Sequence, residues 1–210
     1  MKIRVVDAGV GNLFSVVKAL EKCGSYDVKV TSSVGELELA DKVILPGVGA
    51  FGLGIQGLRD RGLEKVIHEK WASGTPILGI CLGMQFLASQ SLEFGSHKGL
   101  ALIDGVVSPM PTLSSLGDRL KVPFVGWADL KVQSRHPRSS LLSHCESQFV
   151  YLVHSYHFVP KDPDDILAHY EYGGVDIVAA VARENVIGLQ FHPEKSGDYG
   201  LEIIKEFLNA

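Results

Sequence analysis

Two short stretches of this sequence hold residues whose types and spacing suit covalent chemistry: Gly79-Ile80-Cys81-Leu82-Gly83 and His192-Pro193-Glu194. A cysteine thiolate is a strong nucleophile once a base takes its proton, and an imidazole held by a carboxylate is such a base. The apolar run over residues 77–80 predicts a buried strand, and residues 82–89 predict a helix. Cys81 therefore sits where a nucleophile elbow would place it. The flanking glycines are expected to let the backbone turn sharply. The sulfur then projects at the carboxyl end of the strand, where open α/β sheets bind ligands, and the helix N-terminus behind it favours the thiolate. A free cysteine is commonly a small buried hydrophobe, so the motif alone is evenly balanced between the two readings. The histidine shifts the balance. His192 and Glu194 follow a predicted strand over residues 186–190; two positions apart on extended chain they point the same way. Pro193 stiffens the link, so Glu194 can fix the imidazole tautomer.

A third stretch, Pro46-Gly47-Val48-Gly49-Ala50-Phe51-Gly52, satisfies G-x-G-x-x-G. A dinucleotide site is rejected on three grounds: the motif is not in the first strand-helix unit, Pro46 precedes it, and the next strand leads to Cys81 instead of a ribose-binding acid. The first unit offers only Gly9-Val10-Gly11, with Phe14 where a third glycine should stand. Backbone amides of a glycine-rich turn serve equally well to stabilise an oxyanion, at roughly 2.7–4 kcal/mol per donor in the transition state. His154-Ser155-Tyr156-His157 invites a metal reading, but on one extended strand His154 and His157 point to opposite faces. No metal and no cofactor is expected, and the other histidines carry no motif.

The elements that must position these residues follow from periodicity. In the first half, β-branched runs alternate with amphipathic segments: residues 3–7 then 13–22, 28–31, 43–45 then 53–70, and 77–80 then 82–89. Such alternation predicts a parallel sheet covered by helices on both faces. From residue 101 the pattern becomes strand-rich, over residues 102–107, 120–125, 148–153, 166–171, 177–182 and 186–190, and predicts an extension of the same sheet. A last helix over residues 199–208 follows a cap at Ser196 or Asp198. The fold expected is a three-layer αβα, flavodoxin-like, mostly parallel sheet with a partly antiparallel C-terminal extension, as one domain over residues 1–210.

Composition narrows the function. The 210 residues carry a net charge of −4 with both signs mixed, and no basic stripe for nucleic acid or an anionic membrane. Three cysteines, Cys23, Cys81 and Cys145, stand far apart without a CxxC pair, which excludes a disulfide framework and a zinc knuckle and fits a reducing cytoplasm. Asp7 arrives too early for a signal peptide. Residues 71–92 contain no charge, yet Gly74, Pro76, Gly79, Gly83 and the glutamines punctuate them as turn, strand, turn and helix instead of a membrane span.

With these residues assembled, the chain resembles the triad class of glutamine amidotransferases nearly end to end, and most closely those of histidine biosynthesis. The likeness is carried by Gly11-Asn12-Leu13 with Ser15, Leu45 to Gly52, Gly79-Ile80-Cys81-Leu82-Gly83-Met84-Gln85, Val153-His154-Ser155-Tyr156 and Gln190-Phe191-His192-Pro193-Glu194-Lys195-Ser196. The resemblance implies that Cys81 attacks the glutamine side-chain amide, that His192 passes a proton to the leaving ammonia, and that Glu194 orients His192. A glutamyl thioester is then hydrolysed. It further implies an oxyanion hole from the amides of Val48 or Gly49 and Leu82, and glutamine held by Gly49, Gln85, Glu93, Ser155 and Tyr156. The implied partner is a (βα)8-barrel cyclase, docked as a heterodimer and fed ammonia through a tunnel. Family members usually read Pro-His-Met-Gly-Trp-Asn where this chain has Pro123-Phe124-Val125-Gly126-Trp127-Ala128. That segment faces the partner in the family, so Phe124 and Trp127 are expected at the interface, with Phe124 and Ala128 replacing polar contacts by apolar ones. The competing readings are an amidotransferase feeding another synthase, such as one amidinating a sugar for a surface polysaccharide, a non-catalytic flavodoxin-like binding module, and a cysteine hydrolase acting alone on another amide.

Overall fold

The computed structural model describes residues 1–9, 11–24, 27–142 and 149–210. Val10, His144, Cys145 and Gln148, the first residue of one predicted strand, lie outside them. The first half alternates as its sequence requires. Strands β1 (Lys2–Val6), β2 (Asp27–Thr31), β3 (Lys42–Gly47) and β4 (Ile77–Cys81) are joined through helices α1 (Leu13–Lys22), α2 (Val34–Glu38), α3 (Phe51–Asp60) and α4 (Leu63–Ala72), and β4 runs straight into α5 (Leu82–Phe86). The second half holds the short strands β5 (Gln90–Ser91) and β6 (His97–Lys98), then β7 (Gly105–Pro109), β8 (Phe124–Asp129), β9 (Lys131–Val132), β10 (Phe149–His154) and β11 (Tyr156–Pro160). It closes with β12 (Ile166–Tyr172), β13 (Val175–Arg183), β14 (Val186–Leu189) and α6 (Gly197–Asn209).

Eight strands form the main sheet in the order β2-β1-β3-β4-β14-β13-β12-β9. The five from β2 to β14 are parallel and the remainder antiparallel. Alternate side chains of the buried strands feed two cores. Ile3, Val5 and Ile44 meet Val16, Leu20, Ile203 and Phe207 of α1 and α6 on one face. Val6, Val43 and Leu45 meet Ile55, Leu58, Val66 and Phe86 of α3, α4 and α5 on the other. This is the three-layer, flavodoxin-like arrangement with a partly antiparallel end. No helix among the described residues is long and apolar enough to cross a membrane; the uncharged stretch over residues 71–92 spans the end of α4, β4, α5 and β5.

Four predicted elements differ from what forms. The helix over residues 53–70 is two helices, α3 and α4, because Gly62 takes a left-handed φ of +69° between them; apolar periodicity runs across the break and hides it. The helix over residues 82–89 stops at Phe86. The carbonyls of Phe86, Leu87 and Ala88 accept bonds from the amides of Leu100, Leu102 and Ala101, so the incoming loop replaces the next helical turn. The strand over residues 120–125 begins instead at Phe124, just after Pro123, which has no N–H for a ladder. The C-terminal strands also do not all extend one sheet. β8 and β10 pair by themselves, and β11, β7, β5 and β6 form a third sheet. That third sheet includes β11, which periodicity had not marked, and strands of only two residues, too short to show alternation.

The Gly62 turn isolates a backbone effect, since a Cβ there would lie 3.6 Å from the Val34 side chain, an ordinary contact. Gly62→Ala is expected to lower unfolding free energy by about 1 kcal/mol, read as a drop in the urea midpoint with unchanged activity.

Candidate active site

Three neighbouring strands end at one level. Gly47 of β3 pairs in register with Cys81 of β4, and Leu189 of β14 pairs with Ile80. The glycine-rich turn, the cysteine and the His192 segment therefore leave the sheet side by side. Cys81 has φ 55° and ψ −111°, a conformation that L-residues rarely adopt and that costs about 1–3 kcal/mol. The strain falls on the cysteine, whereas the sequence had suggested that its glycine neighbours take the turn. Their function is close approach. A Cβ on Gly83 would stand 1.6 Å from the Leu45 carbonyl oxygen, and one on Gly79 would stand 2.7 Å from that of Gly83. Gly47 likewise lets the Leu82 side chain close to 3.1 Å of where its Cβ would be, and Gly49 takes a φ of +107°. The three glycines of G-x-G-x-x-G thus have separate reasons: Gly47 packs on the elbow, Gly49 takes a left-handed φ, and Gly52 lies against the His97 ring, 2.8 Å from where its Cβ would be.

His192 and Glu194 are buried behind Cys81, their side chains 3% and 2% exposed, and His192 Nδ1 donates to Glu194 Oε1 at 2.8 Å. Burial pulls the imidazole pKa down, but the Cys81 and Glu194 side chains facing it outweigh this and push it up to about 9. The sulfur is close enough to act on the ring, yet Nε2 has no hydrogen-bond partner. A ring charged at neutral pH, held at Nδ1 and free at Nε2, is ready to deliver a proton to a group bound beside the sulfur. The backbone around it is clamped: His192 N donates to Tyr151 O at 3.0 Å, and Ser196 Oγ donates to His192 O at 2.7 Å while accepting from Tyr151 N at 3.0 Å. Ser196 does stand at the N-cap of α6, but its hydroxyl locks the histidine loop and makes no side-chain cap.

A small cavity of about 60 Å³ opens beside the sulfur, lined by Gly49, Cys81, Leu82, Gln85, Val153, His154, Ser155 and Tyr156. It brings together most of the residues singled out for substrate. Two stand apart from its lining. Val48 is turned outward and 38% exposed. Glu93 uses Oε2 to accept from the amide of Phe51, the first residue of α3, and so anchors the turn carrying Gly49. A larger hollow of about 680 Å³, around Arg135, His136 and Glu184, lies at the opposite end of the parallel strands, away from the thiol.

Phe124 and Trp127 part company, because β8 alternates. Phe124 turns inward onto Tyr170 and Tyr172, with ring centroids 5.1 and 4.8 Å away, and Ala128 shares its face. Trp127 is 55% exposed and stacks edge-on against Tyr151 at 6.0 Å, whose ring in turn lies 6.4 Å from His192. Residues three apart on a strand face opposite sides, so of the two it is Trp127 that β8 presents outward.

Tyr151, Ser196, Gln190 and His154 were not singled out in the sequence for the roles they take here. His154 ends β10, and the chain bends at Ser155 into β11 of another sheet, so the two histidines of that motif do not share a strand. His154 Nδ1 donates to Tyr156 O at 2.9 Å and Nε2 accepts from Tyr170 Oη at 2.9 Å. Burial lowers its pKa from 6.5 to about 4. Between those values the unfolded chain binds a proton that the folded chain refuses, so stability falls as pH drops from 6.5 to 4. The loss attributable to this ring is expected to reach about 3 kcal/mol. It would appear as a steeper decline of the urea midpoint between pH 7 and pH 4 in the wild type than in His154→Gln; parallel curves would mean that the ring titrates normally.

The family of class-I glutamine amidotransferases matches this chain over residues 4–210. A protein of Bacillus velezensis named imidazole glycerol phosphate synthase subunit HisH is 47% identical, covering 98% of this chain and 94% of its own length. Proteins of the same name from Sulfurimonas denitrificans and Oceanobacillus iheyensis are 44% and 40% identical, again over 98% of this chain and over 96% and 97% of theirs. Among solved structures, a crystal structure of a glutamine amidotransferase superposes with TM-score 0.75 at 20% identity, covering all of both chains. PurLQS from Thermotoga maritima gives 0.73 at 22%, covering 99% of this chain and 97% of its own. At such identity these two speak for the fold alone.

Proposed function

The chain belongs to the class-I glutamine amidotransferases, and on that premise we propose that Cys81, His192 and Glu194 carry out its hydrolysis of glutamine to glutamate and ammonia. Its place is in histidine biosynthesis, as the glutaminase subunit of imidazole glycerol phosphate synthase. The observation that carries the site assignment is the buried His192 ring, bonded at Nδ1 to Glu194 and unpartnered at Nε2 on the side of Cys81.

The steps follow from these positions. The glutamine carboxamide enters the cavity beside Cys81, and the thiolate attacks its carbon. The amides of Gly49 and Leu82, which line the cavity, receive the oxyanion. His192 Nε2 gives its proton to the amide nitrogen, the C–N bond breaks, and ammonia leaves a glutamyl thioester. Water then attacks the thioester carbon while His192 takes its proton. The C–S bond breaks, and glutamate and the thiolate are released. Gln85 spends both N–H groups on Tyr156 O and Gln190 Oε1, each at 3.0 Å, which leaves its Oε1 to accept from the substrate amide. Glu93 acts through the turn it anchors, and Ser155 and Tyr156 wall the cavity.

The relatives are each named as a subunit, so a partner subunit belongs to the working enzyme. We assign that partner as a (βα)8-barrel cyclase, forming a heterodimer in the cytoplasm and receiving ammonia from residues 1–210 acting as one amidotransferase domain. The docking face lies around the site, where Phe14, Val48 and Trp127 are exposed and apolar. The departure from the family pattern at Phe124 and Ala128 falls on the inward face of β8 and leaves the outward Trp127 in place. That supports the histidine-biosynthetic partner over another synthase.

Cys81→Ala is expected to abolish glutamine-dependent synthesis by the assembled enzyme while ammonia-dependent synthesis persists; loss of both in a folded complex would refute the division of labour. Trp127→Ala is expected to weaken binding of the cyclase by about 2 kcal/mol, roughly 30-fold in Kd. Titration calorimetry measures this, and unchanged affinity would move the docking face elsewhere.

A further inference from the structure

Gln190 has no exposed surface, and its amide nitrogen points at the nucleophile, with Nε2 3.8 Å from Cys81 Sγ. The two ends of a glutamine amide differ only by which hydrogen bonds they make, and here a continuous chain of bonds decides. The Tyr156 carbonyl can only accept, and it is approached by His154 Nδ1 at 2.9 Å and by one end of the Gln85 amide at 3.0 Å. That end of Gln85 must therefore be its NH2. The second N–H of the same group meets the Gln190 amide at 3.0 Å, so the Gln190 oxygen is the atom facing Gln85. Its NH2 is left for the sulfur. With the Gln190 amide turned over, two donors would confront each other at Gln85 and a carbonyl oxygen would confront a thiolate.

We propose that Gln190 positions the nucleophile: its Nε2–H holds the Cys81 sulfur in the anionic form, and Gln85 orients the Gln190 amide to do so. This rests on the reading of Cys81 as nucleophile. A neutral thiol sulfur is a weak acceptor, whereas a thiolate draws a charge-assisted bond, so the donor favours the reactive form selectively. When the thioester collapses, the sulfur regains its charge and the same N–H receives it. The backbone supports the assignment. Leu189 is paired with Ile80, so Gln190, the residue just past β14, leaves the sheet level with Cys81, and its own amide donates to Ala179 O on the other side.

The test is the pH dependence of iodoacetamide alkylation of Cys81 in the full chain, followed by peptide mass spectrometry so that Cys23 and Cys145 are read separately. In Gln190→Met, which keeps the length and removes the donor, the profile is expected to move to higher pH and the rate at pH 7 to fall about tenfold. Gln190→Glu, which keeps the shape and replaces the donor by an acceptor, is expected to move it further and carries the test should the methionine variant not fold. Gln85→Met is expected to shift it in the same direction by less. With the cyclase present, kcat should fall with KM little changed. A folded variant of Gln190 whose alkylation profile overlays the wild type overturns the proposal. If wild-type Cys81 reacts no faster than Cys23 at neutral pH, the nucleophile reading itself fails, a result distinct from the first.

Discussion

Cys81 is the last residue of a strand whose neighbours end level with it, Gly47 on one side and Leu189 on the other, and this parallel register is the constraint from which the site follows. Parallel strands deliver successive loops to the same edge of a sheet. Residues separated by more than a hundred positions are thereby brought within reach of one another, as Gln190 is of Gln85 and Cys81. The turn at Gly49, the thiol of Cys81 and the segment from Gln190 to Glu194 owe their proximity to backbone ladders buried between two hydrophobic layers. A slip of one residue between β4 and β14 would turn every side chain of one strand to the opposite face. The two cores guard the register, because each strand side chain is matched to helices on one face only.

That rigid edge also makes the strained elbow tolerable. The left-handed φ of Cys81 persists because strand and helix on either side of it are pressed together through Gly79 and Gly83, with no room for a Cβ. The histidine is held differently. Its segment lies past the end of a strand, where no ladder reaches, and the Tyr151 backbone together with the Ser196 hydroxyl substitutes for one. The thiol and the imidazole are thus anchored by independent means, one by sheet and helix packing and the other by three hydrogen bonds. The freedom left between them is at Nε2, which has no hydrogen-bond partner and is the atom that would exchange partners in the proposed reaction.

How much of this could be read from residues alone depended on whether the signal was local. The strands of the parallel half, the first helix and the elbow are written in short patterns of period and spacing and formed where those patterns placed them; Glu194 does meet His192, but from a 3-10 turn over Pro193–Lys195 instead of extended chain. Gly62 was hidden because the apolar face of α3 continues into α4 across the turn. Strand parity on β8 sets Phe124 opposite Trp127, and that alternation too is written locally. Gln190 stood within a quoted motif, yet its importance arises from a bond to Gln85, a pairing of residues far apart in sequence that only the register of β4 against β14 creates. Ser196 matched the residue type of a helix cap, and that local preference obscured its bond to His192.

The buried polar groups around the cavity follow one rule that ties stability to chemistry. His154, Gln85 and Gln190 are removed from water, the two glutamines bonded to each other and His154 sharing the Tyr156 carbonyl with Gln85, and burial keeps the His154 ring neutral down to about pH 4. His192 is the exception. It is buried as deeply, yet the sulfur and the carboxylate on its two sides drive its pKa to about 9. A neutral second histidine matters here, since a charge on His154 would oppose the one on His192, and it lines the same cavity. The Tyr170 hydroxyl, by donating to His154 Nε2, fixes the tautomer that leaves Nδ1 bonded to the Tyr156 carbonyl. Phe124 packs over Tyr170 and His154 on the inward face of β8, keeping water from that pair. An apolar residue on this inward face therefore helps to keep neutral the histidine that shares the cavity with Cys81.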